Sequence, residues 1–100
     1  MAELADAFVV ASSFRVPGLG VLALPAAPAP AWLATYPLHT ALALTLSTAG
    51  QPATTLTGTV EELAHEGQPA RRALLLDFDP AGPLPAGTRL LAAPLAAQLL

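Results

Sequence analysis

Asp77 and Asp79 are separated by a single residue, and on an extended strand that spacing puts both carboxylates on one face, about 7 Å apart. Paired carboxyl groups are the equipment of glycoside hydrolysis, in which one protonates the leaving oxygen and the other serves as base or nucleophile. The surroundings argue against that use. Asp79-Pro80 is a turn-forming pair, Trp32 and Tyr36 are the sole candidates for stacking on a sugar, and no deep cleft is implied. Solvated carboxylates are the preferred reading, a small hydrolase using Asp77 and Asp79 is the rival, and no catalytic residue is assigned. His39 and His65 are the imidazoles of the chain, whereas a metal centre wants three or four converging ligands. His65 lies in a local acidic cluster with Glu61, Glu62 and Glu66, but a hard-cation loop needs more oxygens at set spacing. No metal and no cofactor is assigned. His39 precedes an alternating run, and spacing places no Ser or Asp beside it, so it reads as a strand-edge or loop residue rather than a general base.

The remaining candidates are binding groups. Arg71 and Arg72 open the segment that carries Asp77, and they can pair with Glu61 or Glu62 on a neighbouring strand, an exposed interaction worth about 0–1 kcal/mol. Trp32 and Tyr36, four apart in a Pro-bounded insert, suit either a hydrophobic plug over one end of the fold or an exposed anchor for a partner, the plug being preferred. Trp32, Tyr36, Arg71, Arg72 and Asp77 are therefore the candidate partner contacts.

The elements that must position these groups are strands. Eleven prolines and seven glycines cut the chain into short runs whose periodicity is two. Residues 40–48 place Leu42, Leu44 and Leu46 on one face and Ala41, Ala43, Thr45 and Ser47 on the other, as a sheet with one wet side requires. After the turn Gly50-Gln51-Pro52, residues 53–63 set Thr55, Thr57 and Thr59 against Leu56, Gly58 and Val60, which predicts a hairpin between the two runs. Upstream, residues 8–16 and 20–24 flank Val16-Pro17-Gly18-Leu19-Gly20 and predict a second hairpin. Residues 71–79 direct Leu74, Leu76 and Phe78 inward against Leu75, Asp77 and Asp79, and a Pro-rich turn leads to a closing strand at 88–93. Gly18, Gly20, Gly58 and Gly87 are read as structural turn positions. Residues 26–31 form a Pro/Ala tract that suits an extended or polyproline II path, and the apolar tail 94–100 suits either a helical turn or a strand extension. The pattern predicts an all-β fold, a small closed or nearly closed antiparallel barrel of about six strands.

Composition narrows the function classes. One hundred residues have the size of one small domain, so 1–100 reads as a single unit with its barrel at about 8–93. Hydrophobic residues make up 54% and charged residues 11%, which places the chain among globular folds rather than disordered ones. A net charge of -3, with four Arg as the only basic residues besides His, argues against unaided nucleic-acid binding. No Asp, Glu, Lys or Arg stands between Arg15 and Glu61, yet prolines, glycines and hydroxyl residues interrupt that stretch too often for a membrane-spanning helix. Absent cysteine, together with an acidic rather than basic start, points to the cytoplasm. With no G-x-x-x-x-G-K-[ST] loop, no nucleotide site is expected.

Four pieces in order carry a family resemblance: Phe14-Arg15-Val16-Pro17-Gly18-Leu19-Gly20 running into Val21-Leu22-Ala23-Leu24; Thr57-Gly58-Thr59-Val60-Glu61; the apolar run 72–78 after a polar loop; and Pro85-Ala86-Gly87-Thr88-Arg89-Leu90. Together they resemble domain 2 of the translational GTPases, the β-barrel module of elongation factor Tu and its relatives, over nearly the whole chain. The resemblance implies that barrel standing without its GTPase domain. In elongation factor Tu, an acidic pair before the opening Phe and an Asn and Arg on the fifth strand help to form the pocket for the aminoacyl end of tRNA. The positions that look equivalent here carry Ala11-Ser12, Arg71 and Asp77, so the resemblance does not extend to that pocket. Leu19 also replaces the family's Arg between the glycines, and Leu24-Pro25 its Thr-Gly. The expectation is a stand-alone, non-enzymatic interaction module that binds a protein partner or a second copy of itself. A barrel docking on a ribosome, a tRNA or a separate GTPase is the alternative.

Overall fold

A computed structural model describes residues 7–64, 66–78 and 84–92. Six strands, β1 (Phe8–Val16), β2 (Gly20–Pro25), β3 (Ala41–Ser47), β4 (Thr54–Leu63), β5 (Arg71–Leu76) and β6 (Arg89–Ala92), and one short helix, α1 (Ala31–Thr35), follow one another in the order β1-β2-α1-β3-β4-β5-β6. The strands close into an antiparallel barrel ordered β1-β2-β5-β4-β3-β6.

Two hairpins seed the barrel. In β1–β2, Val16 pairs with Gly20 and Ser12 with Leu24, with a bulge between Val10 and Ser12. In β3–β4, Leu42 pairs with Gly58 and Leu46 with Thr54. The two are joined by β5, which takes β2 on one side and β4 on the other, and by β6, which links β3 to the start of β1. Closure satisfies the strand edges that an open sheet of this size would present. Period two within each strand then decides what is buried: Phe8, Val10, Ala23, Leu42, Leu44, Val60, Leu74, Leu76 and Leu90 fill the interior. Phe78 and Leu46, which the alternation also turns inward, are half-buried and pack against that cluster.

Three expectations are refined. The fifth strand ends at Leu76, where the amide of Asp77 still donates to the carbonyl of Thr57. Gly58 occupies the middle of β4, not a turn: it faces inward, and a Cβ there would come within 2.7 Å of Leu44 Cδ1 and 3.1 Å of Leu76 Cδ2. The inward period that Gly58 shares with Val60 leads into a core already filled by leucines from β3 and β5, so the position takes no side chain. Finally, the segment after the Pro/Ala tract turns into α1, five residues that lay Leu33 over one open end of the barrel.

Candidate functional site

The end of the barrel that α1 covers carries the binding groups. Leu33 is 1% exposed and belongs to the core, so it is the residue that seals the barrel. Trp32 and Tyr36 lean on that cluster from outside, half-buried, with their rings edge-to-face at 6.4 Å and an interplanar angle of 70°. They act as the rim of a plug whose centre is Leu33. The short helix holds its place through backbone and hydroxyl bonds: the Leu33 amide donates to the Pro30 carbonyl at 3.1 Å, and Thr35 Oγ1 donates to the Trp32 carbonyl at 2.7 Å.

One guanidinium group fastens this insert to the sheet, and its neighbour bonds the end of β2 from which the insert starts. Arg72 Nη1 donates to the Tyr36 carbonyl at 2.7 Å, just past the end of α1, and Arg71 Nη2 donates to the Pro25 carbonyl at 3.3 Å, where β2 ends. The expected pairing with Glu61 or Glu62 therefore does not form. Glu62 faces Arg72 and Leu63 faces Arg71 across the β4–β5 ladder, but at the barrel end the long arginine side chains donate to backbone carbonyls instead. Between the insert and these arginines lies a groove of about 400 Å³. It is lined by Pro25, Pro30, Leu33 and several alanines together with Arg71 and Arg72.

Glu61 is engaged elsewhere. Its Oε1 stands 3.0 Å from His39 Nδ1, and its Oε2 accepts from Thr59 Oγ1 at 2.8 Å. His39 thus has the carboxylate partner that spacing failed to reveal, supplied by β4 across the barrel wall. No nucleophile completes a relay with this pair among the described contacts, and the imidazole is 75% exposed with its backbone at φ 71°. Its amide donates to the Val60 carbonyl at 2.6 Å and the Val60 amide donates to Thr40 at 3.1 Å, so His39 works as a corner that steers the chain into β3.

At the opposite end, Asp77 lines a second depression of about 260 Å³ with Arg15, Val16, Gly18, Leu19, Gly20 and Phe78. Asp77 is exposed, and Asp79 and His65 lie outside the described residues, so the carboxylate-pair and acidic-cluster readings have no geometry on which to rest. Among the described residues no group of three or more His, Cys, Asp or Glu could hold a metal ion, and no helix is long and apolar enough to cross a membrane. Asp77 lies at one end of the molecule and Trp32, Tyr36, Arg71 and Arg72 at the other, so the five candidate contacts are not one surface. Gly18 and Gly20 shape the turn of the β1–β2 hairpin, and Gly87 shapes the turn before β6; all three have positive φ.

The outer wall contributes an apolar surface. Phe14, Leu22 and Leu75 are successive cross-strand partners on β1, β2 and β5, but Leu22 is 7% exposed and Leu75 half-buried, so of this row it is Phe14 that meets solvent. Phe14 is 46% exposed, and Leu19 at the tip of the same hairpin is 61% exposed. No family model, no curated protein and no solved structure matches the chain.

Proposed function

We propose that the chain is a non-enzymatic β-barrel interaction module of the elongation factor Tu domain 2 type, which acts by binding protein. The observation that supports this most directly is the β1–β2 hairpin, which holds Phe14 and Leu19 out to solvent. Large aromatic and aliphatic side chains held rigidly on paired strands are the anchors that protein interfaces use, and they are out of place on a wall that serves water alone. The run without Asp, Glu, Lys or Arg from Val16 to Val60 leaves the neighbouring outer faces without charge to oppose association. A second copy is the partner most readily at hand. The family resemblance adds the architecture and not the tRNA pocket, because Ala11-Ser12 and Asp77 stand where that pocket has its polar groups.

Sedimentation velocity across a wide concentration range tests the reading. The parent chain should gain mass with concentration, and a Phe14→Ser, Leu19→Ser double variant should remain monomeric with an unchanged circular-dichroism spectrum. A parent chain that stays monomeric throughout and captures RNA but no protein would transfer the role to docking on a ribosome or tRNA.

A further inference from the structure

We infer that the groove beside α1 is a carboxylate-binding site. It is distinct from the Phe14–Leu19 surface, lying at the other end of the barrel, and does not depend on it. Three observations carry the inference.

Two cations line one groove. Arg71 and Arg72 are adjacent in sequence, so on β5 they project to opposite faces, yet both border the same space because it wraps the end of the barrel wall. Each is held by a single backbone carbonyl, Pro25 for Arg71 and Tyr36 for Arg72. A guanidinium has five N–H donors, so each retains donors beyond the one that bonds its backbone carbonyl. The fastening also holds the fork in place, which lowers the entropy lost when it binds an anion.

Among the described residues no acid pairs with them. Glu62 is the cross-strand neighbour of Arg72 and makes no ion pair with it, while Glu61 is turned to His39 and Thr59. The two arginines are a local excess of positive charge on a chain whose net charge is -3.

The rest of the lining is apolar and rigid. Pro25, Pro30, Leu33 and a set of alanines make a wall with few rotatable side chains, so apolar contact there is gained at little conformational cost. A volume of about 400 Å³ holds on the order of a dozen heavy atoms at about 30 Å³ for each water-sized group. The ligand class is therefore a carboxylate on a compact apolar body, with the carboxylate on the guanidinium forks and the body along the Pro/Ala wall. A free organic acid and the last residue of a peptide share that chemistry.

Nitrogen-edited nuclear magnetic resonance titration of the full chain tests it with four probes: phenylacetate, its neutral isostere phenylacetamide, acetyl-Ala-Phe as the free acid, and the same peptide as its amide. At least one acid should saturate shifts confined to residues 26–34 and 71–72, with the matching amide about tenfold weaker or more. Response to phenylacetate alone assigns a free acid, and response to the peptide acid alone assigns a chain terminus. Arg71→Gln, whose long bond to Pro25 makes it the gentler change, should weaken the acid severalfold while the rest of the spectrum stays in place; Arg72→Lys should retain part of the affinity. Equal binding of acid and amide, no saturable shift at the groove with either acid, or affinity unchanged in Arg71→Gln would each overturn the assignment.

Discussion

A side-chain carbon on Gly20 would fall on the backbone carbonyl oxygen of Leu76, the residue that ends β5 beside it. Gly20 also sits at φ +134°, a conformation that side chains resist. The collision is with main chain, so no rotamer change relieves it; either the β1–β2 turn or the β2–β5 ladder must move. Gly20→Ala should cost about 2–4 kcal/mol by chemical denaturation, combining backbone strain and overpacking. A parent-like midpoint would mean that β2 does not approach β5 as described.

Gly58 fails for a different reason. Its backbone is ordinary for a strand, and the obstacle is the leucine methyls of Leu44 and Leu76. Those can shift, so Gly58→Ala should cost about 1–3 kcal/mol, and Leu44→Ala in the same chain should recover part of that loss by vacating the space. Thermal or urea unfolding of the two single variants and the double variant measures the coupling; strict additivity would place the added methyl elsewhere.

These two glycines mark what the sequence discloses. The alternation of Leu42, Leu44 and Leu46 against Ala41, Ala43 and Thr45 reports its buried face directly, because period two is a property of one strand. The inward face of Gly58 was legible in the same way, but its role was not, since Leu44 and Leu76 come from other strands. The helix α1 is too short to display a 3.6-residue period, and its defining residue, Leu33, is apolar in an apolar neighbourhood. The groove was hidden for a related reason: Arg72 and Tyr36 are 36 residues apart, and only closure of the barrel brings the end of α1 onto the start of β5. The charge pattern suggested an Arg–Glu pair across β4 and β5 because adjacent strands favour it, whereas the Pro25 and Tyr36 carbonyls at the barrel end compete for the same donors.

His39 is a test of backbone against chemistry. If it is retained as a corner at positive φ, His39→Gly should hold stability within about 1 kcal/mol despite losing the Glu61 contact, since Gly relieves the left-handed backbone. His39→Val should be clearly worse, because a β-branched residue is poorly accommodated there. Should the Gly variant lose more stability than the Val variant in denaturant titration, the exposed His39–Glu61 contact would outweigh the backbone term.

The α1 insert makes the last test, because it is held from two sides. Leu33 enters the core cluster, and truncating a buried leucine costs the transferred area plus the cavity left behind, so Leu33→Ala should lose about 2–4 kcal/mol. Arg72 fastens the same element from above through the Tyr36 carbonyl, and Arg72→Met, which keeps the apolar stem, should lose about 1 kcal/mol. If both residues stabilise one docked state of α1, removing either frees the insert from much of what the other supplies. The double variant should then lose less than the sum of the singles, by roughly 0.5–1 kcal/mol. Trp32 fluorescence reports the local event, since Trp32 packs on this cluster and its emission should shift to the red in each single variant before global unfolding. Additive losses with unchanged Trp32 emission would mean that Leu33 and Arg72 act on separate parts of the barrel, and that the guanidinium of Arg72 is not what keeps α1 over its end.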